Sequence, residues 1–300
     1  MQKQVAAILI AGAVLLAPAA SAEELTAKHG HSVKPLITQD SMNVYRRFVP
    51  EHREAMVVFY DKVLGLEPLT PIDLGGGQQM ILFSIGTGQI KLASGLKEGR
   101  NYHLGGVHDG VGIRLFTLFF PDEATLAGRF EANGFEAPEF ISRGDGVRSA
   151  LMQDPGGFSL ELVISPDVPA ELYGTVEVGV NVSNLAASRE YYREFIGLDE
   201  LEPVKDELLG VTKYPYRHGE TTINLWSVGE GLPADTGSAG IQYVVSDVDY
   251  VDARAKAREV TVETPLGGLP GFDLRFVWLN DPDGVTNYFA QIGGQSNTPE

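Results

Sequence analysis

The chain has 300 residues, 43% hydrophobic, 21% charged and 9% aromatic, a globular composition that excludes disordered and fibrous architectures and a length that suits two domains. Forty Asp and Glu against 23 Lys and Arg give a formal charge of -17 without any basic cluster, which excludes nucleic-acid binding through phosphate neutralisation. The absence of cysteine excludes disulfides, thiolate metal sites and cysteine nucleophiles.

In chain order, Lys3, the apolar run Val5–Ala19 and the small residues Ala20-Ser21-Ala22 predict a signal peptide over residues 1–22. The run is shorter than the ~20 residues that span a bilayer. The expected product is exported, periplasmic or secreted, with no membrane association after cleavage. Residues 23–38 read as a polar N-terminal tail.

The rest of the chain is written twice. Phe59-Tyr60-Asp61-Lys62-Val63-Leu64-Gly65-Leu66 returns as Tyr191-Tyr192-Arg193-Glu194-Phe195-Ile196-Gly197-Leu198, an offset of 132. Ile90-Lys91-Leu92 returns as Ile223-Asn224-Leu225 at 133, and Asp154-Pro155-Gly156-Gly157 as Asp281-Pro282-Asp283-Gly284 at 127. Two homologous domains follow, over residues 39–166 and 171–293, joined at Pro166-Asp167-Val168-Pro169.

Each repeat opens on a strand; in the second, Val176, Val178, Val180 and Val182 alternate with Glu177, Gly179 and Asn181. A helix follows, with Met56, Phe59, Tyr60, Val63 and Leu64, or Ser188, Tyr191, Tyr192, Phe195 and Ile196, on one face. Gly65 and Gly197 occupy the left-handed terminal position. Then come strands at Ile81–Ile85 and Gln89–Ser94, with Gly75-Gly76-Gly77 as a hairpin turn. A further strand, Ile113–Phe120 or Ile241–Val245, leads to a helix starting near Asp122 or Asp247, and the Asp-Pro turn introduces the last strand.

The F-Y-x-x-x-L-G-L helix, the mid-domain strand running into Asp, and the D-P-x-G turn before a terminal strand resemble the vicinal oxygen chelate superfamily. That superfamily holds glyoxalase I, the extradiol dioxygenases, the fosfomycin-resistance enzymes and the bleomycin-resistance proteins. The resemblance implies an α+β fold of two homologous domains, each of paired βαβββ modules whose mixed sheet curls into a cup around a ligand. It also implies that metal-dependent members ligate through His, Gln or Glu on the first, fourth, fifth and eighth strands. Carried over, these positions are Tyr45 (or Val44), Lys91, Leu115 (or Arg114) and Glu161 in the first repeat. In the second they are Glu177, Asn224, Gly240 with Gln242 two residues on, and Tyr288. Neither repeat alone holds the family's metal set.

In some members, strands one and four of one domain meet five and eight of another. Applied here, one composite site collects Glu161, Glu177 and Asn224, an oxygen set for a divalent ion (Mn, Mg, Ca, Zn, Fe or Ni), or a glutamate pair for acid–base catalysis. The other collects Tyr45, Lys91, Gln242 and Tyr288; with a cation where a metal would sit, it suits an anionic or phenolic ligand. Trp226, Tyr243 and Trp278 are aromatic candidates for stacking on a ligand or filling the core, with Trp226 taken as ligand-binding. His103, His108 and His218 fall on loops and read as solvated. The adopted reading is an exported protein holding a small organic molecule in a cup, with one divalent ion as the only candidate cofactor and a monomer or homodimer as the assembly. The alternatives are a metal-dependent lyase, isomerase or dioxygenase-like enzyme at the composite site, and a scaffold whose cups are vestigial.

Overall fold

A computed structural model describes residues 31–75, 78–165, 175–269 and 271–293. The signal-peptide segment, the Pro166–Pro169 joint, Gly76 and Gly77 lie outside the described residues. The first repeat contains β1 (Asn43–Phe48), α1 (Arg53–Val58), β2 (Pro68–Gly75), β3 (Gln78–Ile85), β4 (Gly88–Ser94), β5 (Val111–Phe120), α2 (Glu123–Ala132), β6 (Ile141–Gly144), β7 (Val147–Gln153) and β8 (Ser159–Ile164). The second contains β9 (Val176–Asn181), α3 (Leu185–Glu190), β10 (Asp199–Glu200), β11 (Val204–Asp206), β12 (Val211–His218) and β13 (Thr221–Trp226). It continues through β14 (Ala234–Asp235), β15 (Ala239–Val244), α4 (Val248–Ala257), β16 (Val262–Gly268), β17 (Leu274–Asn280) and β18 (Thr286–Ile292).

The local signals act as the sequence predicts. Helix α1 widens into a π turn over Phe59–Val63, and α3 does so over Tyr191–Ile196. Gly65 and Gly197 end these segments at φ 72° and 91°, a conformation a side chain resists. Asp122 and Asp247 cap α2 and α4 by accepting from the Thr125 and Tyr250 amides at 2.7 and 2.9 Å.

The two sheets mix the repeats. One runs β16-β17-β18-β15-β1-β4-β3-β2; the other runs β10-β12-β13-β9-β5-β8-β7-β6, with β11 added to β12 and β14 to β5. Each sheet therefore joins the N-terminal module of one repeat to the C-terminal module of the other, through the antiparallel ladders β1–β15 and β5–β9. This is the composite pairing of strands one and four with five and eight.

Alternation sorts the two faces. On β1, Val44, Arg46 and Phe48 enter the core, and Asn43, Tyr45 and Arg47 face the other way. Phe59 packs edge-on against Phe130 and Phe135, so the two helical segments of one repeat bind its halves together although they serve different sheets. The repeated turn motif does the same. Tyr60 and the fully buried Arg46 donate to Asp154 at 3.2 and 3.1 Å, and Arg46 also donates to the Gly156 carbonyl at 3.0 Å. The polar faces pointing away from this core form two separate cups, one on each sheet.

Candidate functional site

The second cup, on the ten-stranded sheet, brings Glu161 and Glu177 together. Both flank Thr117 in register, one from β8 and one from β9. Thr117 donates to Glu161 at 3.0 Å, and Asn224 Nδ2 donates to Glu177 at 2.7 Å. Thr117, rather than Leu115 or Arg114, is thus the β5 residue beside Glu161. A register irregularity between Ile113 and Leu115 shifts the facing residue along the strand. Arg114 binds the His103 and Gly106 carbonyls at 2.7 and 3.0 Å instead.

Three residues not anticipated from the sequence complete this cup. Arg143 on β6 reaches Glu161 at 3.4 Å and Asp206 on β11 at 2.9 Å. Lys213 on β12 stands 2.6 Å from Asp206 and 3.8 Å from Glu161. The four side chains form a closed ring of alternating charge. Because β6 and β11 lie at opposite ends of the sheet, the ring also closes its curl. Asp206 is pulled below the usual carboxylate range: burial opposes this, but hydrogen bonding and attraction from Lys213 and the Leu209 amide outweigh it. Burial pushes Glu177 up, against the pull of Lys213 and the Asn224 hydrogen bond.

These donors do not fit a divalent ion. Two cationic heads already contact Glu161, and the Asn224 amide presents its NH2 to Glu177 rather than its oxygen. Among the described residues no three His, Asp or Glu side chains are grouped to hold a metal. Behind the ring, Leu115, Leu209, Val211 and Trp226 fill the cup as a small apolar cluster. The Trp226 ring lies so close over Gly179 that a Cβ there would stand 2.5 Å from it. Trp226 is thus fully buried in the second cup, apart from the four residues with which it was grouped as ligand-binding. A cavity of about 430 Å³ opens at the rim between β7, Ser159 and the loop Gly106–Asp109.

The first cup, on the eight-stranded sheet, is differently finished. One row across it runs Asn280–Thr286–Gly240–Tyr45–Lys91–Leu82, and the next runs Trp278–Tyr288–Gln242–Asn43, each neighbouring pair in register. Tyr45, Lys91, Gln242 and Tyr288 therefore share one wall, as the composite site requires. Asn43, not Tyr45, is the counterpart of Glu177: it faces Gln242 and donates to its Oε1 at 3.2 Å, as Glu177 faces Thr117. Asn43 precedes Phe59 by sixteen residues and Glu177 precedes Tyr191 by fourteen; the extra length is taken up around the turn Pro50–His52. The Tyr45 ring lies across Gly240, where a Cβ would be 2.3 Å away.

Charge in this cup is unevenly matched. Glu263 accepts from Thr286 at 2.6 Å, pairs with Lys97 at 2.7 Å and lies 3.4 Å from Arg100. Lys97 also caps the Trp278 ring at 4.1 Å, and Trp278 meets Tyr288 edge-on at 5.3 Å. Lys91 has no hydrogen-bond or ion-pair partner among the described residues. Burial alone lowers its amine to about 8. Two buried polar atoms on the same wall, Trp278 Nε1 and Asn280 Oδ1, are without partners among the described residues. Burial raises Tyr45 to about 12, opposed by Thr286, and raises Tyr288 further.

Of the loop histidines, His108 is exposed and His103 half-buried. His218 is engaged, with Nε2 2.7 Å from the Gln39 carbonyl. Tyr243 is a core residue, stacked on Phe289 at 4.9 Å.

Two sheets, each assembled from two strand–helix–strand modules and each presenting a polar cup, define a tandem cup protein. Residues 174–289 match the family model described as Glyoxalase/Bleomycin resistance protein/Dioxygenase superfamily. A point variant of glyoxalase I from Zea mays is similar over 90% of this chain and 97% of its own, at 19% identity and a TM-score of 0.66. Unmodified Zea mays glyoxalase I gives 19% and 0.62 over 84% and 92%. A Bacillus subtilis protein provisionally assigned as a dioxygenase gives 15% and 0.59 over 86% and 87%. No curated protein sequence matches the chain.

Proposed function

We propose that the chain is an exported small-molecule-binding protein that holds an anionic or phenolic organic ligand in its first cup. The observation that carries this reading is Lys91, a largely desolvated cation with no carboxylate against it. An isolated buried charge is costly, and a ligand bringing an oxyanion would relieve that cost. Gln242 and the unpartnered Trp278 Nε1 add hydrogen-bond donors, while Tyr45, Tyr288 and Trp278 supply faces and edges for an aromatic body. The export half of the proposal rests on the leader-like sequence of residues 1–22. The test is thermal unfolding with benzoate: the midpoint should rise with benzoate concentration without chemical change, and Lys91→Met should remove the rise. No rise in the unmodified protein refutes the reading.

A second reading, an enzyme in the manner of the similar glyoxalase I, is favoured by Glu177. It is partly exposed toward the second cup, raised by burial and placed across Thr117 from the ion-paired Glu161, an arrangement suited to acid–base catalysis by two carboxyls. Its test is Glu177→Gln, which should abolish any isomerase or lyase turnover and leave benzoate binding intact.

A further inference from the structure

Lys91 is a primary amine on a cup wall, and Glu263, a carboxylate near that wall, is already engaged. Glu263 is taken by Thr286, Lys97 and Arg100, and the in-register neighbours of Lys91 are Tyr45 and Leu82, neither of them an acid. No ion pair therefore holds its lone pair under a proton, and desolvation lowers the amine to about 8. A substantial share is then unprotonated in mildly alkaline solution, the condition under which a desolvated lysine becomes a nucleophile toward carbonyl compounds.

Resting on the reading of the first cup as the ligand site, we infer that Lys91 captures an aldehyde or ketone there, an aromatic aldehyde by the character of the wall, as a reversible imine. The Nζ lone pair attacks the carbonyl carbon, the C=O π pair moves onto oxygen, and that oxygen takes the proton leaving nitrogen. The resulting carbinolamine loses its oxygen as water when the nitrogen lone pair forms C=N. Amine and carbonyl give imine and water; no oxidant or reductant enters. Tyr45, beside Lys91 across the β1–β4 ladder, and Tyr288 both remain protonated through burial and are the proton donors for the departing oxygen.

The test uses the purified chain with benzaldehyde and cyanoborohydride in mildly alkaline buffer, stopped early and mapped by peptide mass spectrometry. Benzylation at Lys91 should run at least about tenfold faster than at the exposed Lys62 and Lys205, each ion-paired with a neighbouring carboxylate at the surface. Lys91→Arg should lose that fast site while the labelling of Lys62 and Lys205 is unchanged. Labelling at Lys91 no faster than at Lys205 overturns the inference. If benzoate still stabilises the protein in that case, only the imine is lost and the anion-binding reading stands. If neither labelling nor stabilisation is seen, both fail.

Discussion

Tyr192 donates its hydroxyl hydrogen to Asp281 across 3.0 Å, joining a π turn of the second repeat to the Asp-Pro turn that precedes its last strand. The first repeat makes the same link between Tyr60 and Asp154, but there Arg46 adds a buried counter-charge at 3.1 Å. Among the described residues Asp281 has no such cation beside it, since valines stand at the corresponding places on β9. Burial accordingly raises Asp281 to about 7, against hydrogen bonds from the Val285 and Asp283 amides and from Tyr192.

The raised value fixes a pH dependence. A carboxyl whose folded-state value exceeds its unfolded 3.8 binds more protons when folded, so its stabilising contribution is complete at low pH and is lost as pH rises toward and through about 7. The loss between pH 4 and 8 should be on the order of 4 kcal/mol. Urea unfolding of Asp281→Asn should show a flatter pH profile than the unmodified protein; identical profiles would contradict the assignment.

Closure of the second cup by the Arg143–Asp206–Lys213–Glu161 ring gives a second expectation. Asp206 is 5% exposed and also accepts from the Leu208 and Leu209 amides at 3.0 and 3.1 Å. Asp206→Ala removes the nearer of the two acids that Lys213 and Arg143 share and should cost about 3 kcal/mol. Arg143→Ala, whose side chain is 23% exposed, should cost only about 1 kcal/mol. Equal costs in chemical denaturation would count against the ring as the element that closes the sheet.

Packing in the same cup supplies a coupling test. A Cβ at Gly179 would stand 2.5 and 2.7 Å from the Trp226 ring and 3.0 Å from Leu115 Cβ. Gly179→Ala should therefore destabilise by about 2 kcal/mol. In a Trp226→Phe background, which removes the crowding ring, the same substitution should cost less. Strict additivity of the two changes would show that the contact is not the cause.

The repeat, its helices and both Asp-Pro turns were legible because each rests on residues whose role is local: Gly65 and Gly197 at left-handed ends, Asp122 and Asp247 as caps. The pairing of Glu161 with Glu177, and of Tyr45 with Lys91, Gln242 and Tyr288, was legible from the repeat offsets once modules were exchanged. That the modules do exchange was not, since a half-buried strand pattern suits either partner sheet. Asn43 was displaced by the longer β1–α1 connection, and Thr117 by the irregularity in β5. Arg143, Asp206 and Lys213 lie on strands toward the sheet's two ends, which meet only because the sheet curls, a curvature with no signature in residue spacing.

Lys91 offers a stability test separate from binding. Its amine is lowered from 10.5 to about 8 by burial, so the unfolded chain binds more protons between those values and stability should climb with pH across that interval. Lys91→Met removes the unpaired charge and should stabilise the protein by about 2 kcal/mol at neutral pH. The difference between variant and unmodified protein should shrink as pH rises past 8. A destabilised variant at neutral pH would show that Lys91 has a partner in the folded protein.

The central claim, that the first cup binds an oxyanion through Lys91, is tested most directly by absorbance titration with 4-nitrophenol held below its own ionisation point. The protein should draw out the phenolate, giving a saturable gain of the phenolate band that Lys91→Met abolishes and Glu161→Gln, in the other cup, leaves unchanged. No gain, or a gain that survives Lys91→Met, would contradict it.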